Sequence, residues 1–106
     1  MFAIIYGLNS LSIRRLKRTS DHVDSKYMRK LETCENMTDS RKIFSNYRST
    51  LATVNPPCLP FIKVYLIDVT CIHDGSKDYL QPNVINFRKC QKTAKVIREI
   101  KHWQSK

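Results

Sequence analysis

Hydrophobic residues along most of this chain recur every three or four positions, the spacing that builds one apolar face on a helix. Phe2–Leu8 reads as a short helix ending near Gly7 and Asn9, with an apolar side that needs something to pack on. Ser10 or Ser12 can cap a second helix running to about Asp21, with Leu11 or Ile13 and Leu16 apolar and Arg14, Arg15, Lys17 and Arg18 around them. A third starts at Asp24 or Ser25 and aligns Tyr27, Met28 and Leu31. A fourth begins at Thr38, with Asp39 favouring its N-terminal dipole and Ile43, Phe44, Tyr47, Leu51 and Val54 on one face. Pro56, Pro57 and Pro60 then form a stiff corner that ends it.

Beyond the corner, local propensity and length disagree. Residues 61–72 are rich in β-formers (Val64, Tyr65, Ile67, Val69, Thr70 and Ile72), which argues for a buried strand. Twelve residues without a turn signal is long for a strand, and no partner strand is evident, so a helix buried on nearly all sides is the alternative. His73 to Asn83 reads as a polar connection. Val84 to Gln104 reads as a long amphipathic helix with Phe87, Cys90, Ala94, Ile97, Ile100 and Trp103 as its apolar stripe.

Composition adds a strong bias. Nineteen Lys and Arg face nine Asp and Glu across 106 residues, a net charge of +10, which points to an anionic partner: nucleic acid, a membrane surface or an acidic protein. Only two glycines are present, which favours long helices over a many-stranded sheet. Cys34, Cys58, Cys71 and Cys90 form no CxxC pair; the last three sit among apolar residues and read as small core residues with free thiols. His22, His73 and His102 complete no metal constellation with them. No catalytic triad, P-loop, paired-carboxylate site or cofactor motif is present, so a metabolic enzyme, a metal site and a cofactor are not expected. The apolar run Phe2 to Tyr6 is too short for a signal peptide and lacks the preceding positive charges.

Four blocks resemble the catalytic domain of the Ras-family guanine nucleotide exchange factors, in that family's order: "GLNSLSIRRLKRT", "FSNYRSTL", "NPPCLPFIKVYLIDVT" and "VINFRKCQKTAKVIREI". The resemblance covers nearly the whole chain. It implies an all-α fold, here about six helices and no sheet, and it selects helix over strand for residues 61–72. It also implies further helices before Phe2 and a second hairpin arm after Trp103, so that the 106 residues are expected to form part of the domain and to exchange poorly alone.

Members of that family do no covalent chemistry. They bind a Ras-like small GTPase (of Ras, Rap or Ral type) and distort its nucleotide site until GDP leaves. No small-molecule substrate is implied. On the resemblance, Glu99 in "VIREI" is the wedge carboxylate, Val96 its apolar neighbour, Asn86 and Phe87 the base of the hairpin, and Arg15 a residue close to the bound GTPase. Lys63, Ile67 and Ser20 depart from the family's usual residues, and "CIHDGSKDYL" keeps only one acid, Asp74, before its glycine. The expected location is the cytoplasm, with transient approach to an anionic membrane. An alternative rests on the last helix: seven Lys and Arg from Val84 onward against one Glu suit a basic nucleic-acid binder. Those cations ring the helix instead of marking one edge, and no helix-turn-helix signature accompanies them.

Overall fold

A computed structural model describes residues 1–104. Among the described residues the elements are α1 (Phe2–Leu8), α2 (Leu11–Arg14), α3 (Lys17–Asp21), α4 (Ser25–Thr38), α5 (Arg41–Leu51), α6 (Ile62–Gly75), β1 (Tyr79–Gln81), β2 (Val84–Ile85) and α7 (Phe87–Trp103). The fold is all-α apart from the small ribbon of β1 and β2. The chain divides into two compact units, Met1–Ala52 and the segment from Thr53 onward.

In the first unit α4 packs on α5 and on α1. Ile5, Phe44 and Tyr47 are its buried apolar residues. The Phe2 ring stands edge-on to Tyr47 at 5.2 Å and 6.3 Å from Phe44, so α1 contributes an aromatic cluster as well as Ile5. Its other face stays open, with Ile4 exposed. Asp24 caps α4 as the sequence suggests: its Oδ1 accepts from the Lys26 N–H at 2.9 Å.

Two boundaries differ from expectation. Thr38 ends α4 instead of opening the next helix; it is buried, and its Oγ1 donates to the Glu35 carbonyl at 3.2 Å. The turn into α5 belongs to Asp39, whose Oδ1 accepts from the Arg41 N–H at 2.9 Å. The helix expected up to Asp21 is broken at Leu16 (φ −79°, ψ 56°) into α2 and α3. Four cations with no interleaved acid repel at helical spacing, and neither short helix buries a residue that would offset this.

Helix α5 is kinked by three consecutive left-handed residues, Lys42, Ile43 and Phe44, with φ between 51° and 58°. Each such residue costs about 1–2 kcal/mol without a glycine. Burial of Phe44 to 2% exposure and of Tyr47 works against that cost, at about 1.5–3 kcal/mol for a fully buried large side chain. Arg48 Nε also donates to the Ile43 carbonyl at 2.8 Å. As a result Ile43, expected on the apolar face, is exposed; Val54, expected on the same face, is exposed because α5 ends at Leu51 before reaching it.

In the second unit residues 62–75 are helical, against their β propensity. Only Val64 and Tyr65 of α6 are buried, and Ile62, Leu66 and Val69 form an exposed stripe. The expectation of a helix covered on nearly all sides is therefore corrected: among the described residues α6 packs chiefly on α7. The polar connection is also corrected. Pro82 followed by Asn83 at φ 67° makes a tight reversal, and β1 and β2 pair antiparallel on either side of it, Gln81 with Val84 and Tyr79 with Ile85. This ribbon delays the start of α7 to Phe87. The thiols are free as expected, but Cys71 and Cys90 are exposed and Cys58 is half-buried, so they do not fill a core.

Candidate functional site

Helix α7 is fastened at its N-terminus by two residues. Asn86 is the cap: its Oδ1 accepts from the Lys89 N–H at 3.3 Å, its Nδ2 donates to the Lys77 carbonyl at 2.9 Å, and its own N–H donates to the Asp78 carbonyl at 2.8 Å. One side chain thus ties the helix start to the ribbon's entry. Lys89 does the same from the first turn. Its ammonium donates to the carbonyls of His73 (3.0 Å) and Ser76 (2.7 Å) and to Asp78 Oδ1 (2.7 Å), using all three protons. The hydrogen bond from Lys89, with its charge and that of His73, holds the Asp78 carboxyl below its usual 3.8. The Lys89 side chain is only 11% exposed, and a cation at the C-terminal end of α6 also complements that helix's dipole.

Further along, Val96 is buried and Ile100 and Trp103 are half-buried. Trp103 Nε1 donates to the Tyr65 hydroxyl at 2.7 Å, a polar clasp between α7 and α6. At 100° per residue this inward face leaves Phe87, Cys90 and Ile97 on another side, and they are exposed. The single apolar stripe expected of α7 is therefore two stripes, one inward and one open.

Of the residues the family resemblance singled out, Asn86, Phe87, Val96 and Glu99 all lie on or at the start of α7, and Arg15 lies in the first unit as the exposed C-cap of α2. Asn86 is engaged in the cap. Phe87, expected on the apolar stripe of the helix, is 67% exposed. Val96 is buried within its unit. Glu99 is exposed and, among the described residues, its carboxylate forms no hydrogen bond or ion pair; the pairing with Lys92 or Lys95 that a surface glutamate would offer is not made. Arg88, Lys92, Lys95 and Glu99 fall within about 60° of one another around the helix, so one edge carries three cations and a single free carboxylate. With Lys89 turned inward, the cations no longer ring the helix evenly.

The first unit holds a cavity of about 460 Å³ lined by Leu8, Ile13, Leu16, Val23, Tyr27 and Leu31 among others. Its polar lining is Asn9, Arg14, Thr19 and Ser20, which offers no acid–base pair or thiolate for covalent chemistry.

A family model for the RasGEF domain matches residues 1–91. The chain belongs to the RasGEF family. It is 43% identical over 102 residues to Ras guanine nucleotide exchange factor Q of Dictyostelium discoideum, covering 96% of this chain and 8% of that protein. It is 36% identical over 101 residues to human Rap guanine nucleotide exchange factor 5, covering 95% of this chain and 17% of the relative. Rap guanine nucleotide exchange factor-like 1 of Pongo pygmaeus is 30% identical over 105 residues, covering 99% of this chain and 23% of the relative. This RasGEF chain thus spans less than a quarter of each of these proteins. Sequence reasoning found the family and the helix that carries Glu99. It missed Lys89 as a fastening point and the Trp103–Tyr65 clasp; the Pro82–Asn83 pair was the available signal for the ribbon.

Proposed function

We infer that this chain serves guanine nucleotide exchange on a Ras-like small GTPase, of the Ras or Rap type its relatives are named for, in the cytoplasm and without covalent chemistry. The observation that carries the reading is Glu99: an exposed carboxylate without a partner, on a helix fastened at its start by Asn86 and Lys89 and clasped near its end by Trp103. A wedge works only if it is held, because a ligand shifts an equilibrium by its differential affinity for the two states and a loose side chain has little. A carboxylate suits the task. It opposes the phosphates of bound nucleotide and accepts the hydrogen bonds those phosphates would otherwise take. Preferential binding to the nucleotide-free GTPase then releases GDP by mass action. Phe87, exposed beside the fastened helix start, offers an apolar contact to the same partner, and Arg15 a cationic one.

The experiment is GDP release from Ras- and Rap-type proteins loaded with a fluorescent nucleotide, comparing this chain with Glu99→Ala. The expected result is a modest acceleration that Glu99→Ala lowers about tenfold, the effect of losing roughly 1.4 kcal/mol of differential binding. Acceleration that is the same in Glu99→Ala would remove the carboxylate from the mechanism.

A further inference from the structure

One short stretch of the first unit gathers cations ahead of a hydroxyl. Arg14, Arg15, Lys17 and Arg18 stand close together, and Thr19 and Ser20 follow at once. Of all the Ser and Thr in the chain, Ser20 alone has Lys or Arg at both the second and the third position before it, Arg18 and Lys17. Arg15 and Arg14 precede these on the same side. Protein kinases select substrates largely by such charge patterns, and a basic run ahead of a hydroxyl suits a kinase whose peptide groove is acidic. Ser20 is also a position where this chain departs from the RasGEF family's usual residue, so the hydroxyl is not part of what the family shares.

The structure presents that hydroxyl to solvent. Every residue from 10 to 30 is exposed, and α3, the five-residue helix that carries Ser20, buries none of its own. A kinase binds its target segment extended in a cleft, so α3 must open first. A helix this short, without a side-chain cap, is marginal in water, and opening it draws on little of the fold's stability. Ser20 Oγ donates to the Leu16 carbonyl at 3.1 Å, an exposed bond that water replaces when the turn opens. Ser20 also lines the cavity of the first unit together with Arg14, whose Nε donates to Asn9 Oδ1 at 3.2 Å. A phosphate on Ser20 thus has a guanidinium on the same cavity wall to pair with.

We propose that Ser20 is a phosphorylation site for a protein kinase that selects basic residues ahead of its target. Ser20 Oγ attacks the γ-phosphorus of magnesium-bound ATP. The new O–P bond forms as the bond to ADP breaks, ADP leaves with that electron pair, and the hydroxyl proton passes to the kinase's catalytic carboxylate. The phosphate adds about −1.5 to −2 charges, which offsets roughly half of what the four cations supply. Where Arg15 meets an acidic GTPase, as the exchange reading has it, the phosphate weakens the encounter. The modification itself does not rest on that reading.

The test incubates the full chain with magnesium, ATP and the catalytic subunit of cyclic-AMP-dependent protein kinase, a kinase directed by basic residues. Phosphate incorporation is followed over time and its position is mapped by fragmentation mass spectrometry. Two variants accompany the wild type, Ser20→Ala and the pair Lys17→Ala with Arg18→Ala. All three positions are exposed, so both variants should keep the wild-type far-ultraviolet circular dichroism. The expected result is incorporation at Ser20, its loss in Ser20→Ala, and an initial rate about tenfold or more lower in the paired variant, the effect of removing the charges that the kinase reads. The mapped position in the wild type is a readout that does not depend on either variant folding. No incorporation, phosphate mapped mainly to Thr19 or to another hydroxyl, or a rate unchanged in either variant would each overturn the proposal. GDP release plays no part in these readouts, so failure of the exchange reading and failure of this one are told apart.

Discussion

Replacing Lys89 with Met keeps a side chain of similar length and helix propensity but removes three donors at once. Two of their acceptors are main-chain carbonyls at the end of α6, on His73 and Ser76, at 3.0 and 2.7 Å. A hydrogen bond from a charged group contributes about 1.5–3 kcal/mol when shielded, and His73 is itself exposed, so its carbonyl recovers water on loss. Taking the low end for each bond gives a loss of about 3 kcal/mol. The exposed Asp78 partner adds nothing to that figure, since solvent screens the pair. The assay is urea unfolding followed by circular dichroism, together with amide exchange at Asn86, whose N–H is bonded to the Asp78 carbonyl at 2.8 Å. Lys89→Met should lower stability by about 3 kcal/mol and speed exchange at that amide, while Asp78→Asn should change both little. A Lys89→Met midpoint within about 0.5 kcal/mol of wild type would refute the fastening role, because that is the effect of an ordinary surface change.

Asn86→Ala removes both the cap and the Lys77 bond and should cost about 1–2 kcal/mol in the same melts; Asn86→Asp should recover the cap part of that loss. Tyr65→Phe should cost about 1 kcal/mol and alter Trp103 fluorescence in the folded state, since it deletes the 2.7 Å clasp. The Asp39 and Asp78 carboxyls are both held below their usual 3.8, chiefly by hydrogen bonds from Arg41 and Lys89. The unfolded chain therefore takes up protons first, so the stability these pairs supply is present above 3.8 and is lost as pH falls through the folded values. Acid melts of the Asp39→Asn, Asp78→Asn variant should accordingly be flatter below that pH than those of the wild type, and identical curves would contradict the assignment.

The helices with a clear start signal were legible in the sequence. Asp24 caps α4 by the bond its position suggests, and Phe2–Leu8 is helical as its spacing predicts. Residues 61–72 were legible only through the family's motifs, because β-branched residues in a helix carry no local mark of it. The kink of α5 could not be read at all: left-handed backbone normally announces itself by glycine, and Lys42, Ile43 and Phe44 give no such sign. The division of the α7 stripe had a different obstacle. Phe87, Cys90, Ile97, Ile100 and Trp103 all look equally apolar in sequence, and which of them face inward depends on where α6 lies. For the candidate site, Glu99 is singled out by its place in "VIREI", whereas Lys89 is one cation among many in the sequence, because its three acceptors come from α6 and the chain leaving it.

The measurement that bears most directly on the exchange reading is the affinity of this chain for one Ras- or Rap-type GTPase in two states, nucleotide-free and GDP-loaded, by titration calorimetry with and without Glu99→Ala. Exchange by displacement requires tighter binding to the empty state, and the ratio of the two affinities is the factor by which the chain favours release. The account predicts at least a tenfold preference for the nucleotide-free GTPase, reduced toward unity in Glu99→Ala. Equal affinity for the two states, or a preference that Glu99→Ala leaves intact, would contradict it.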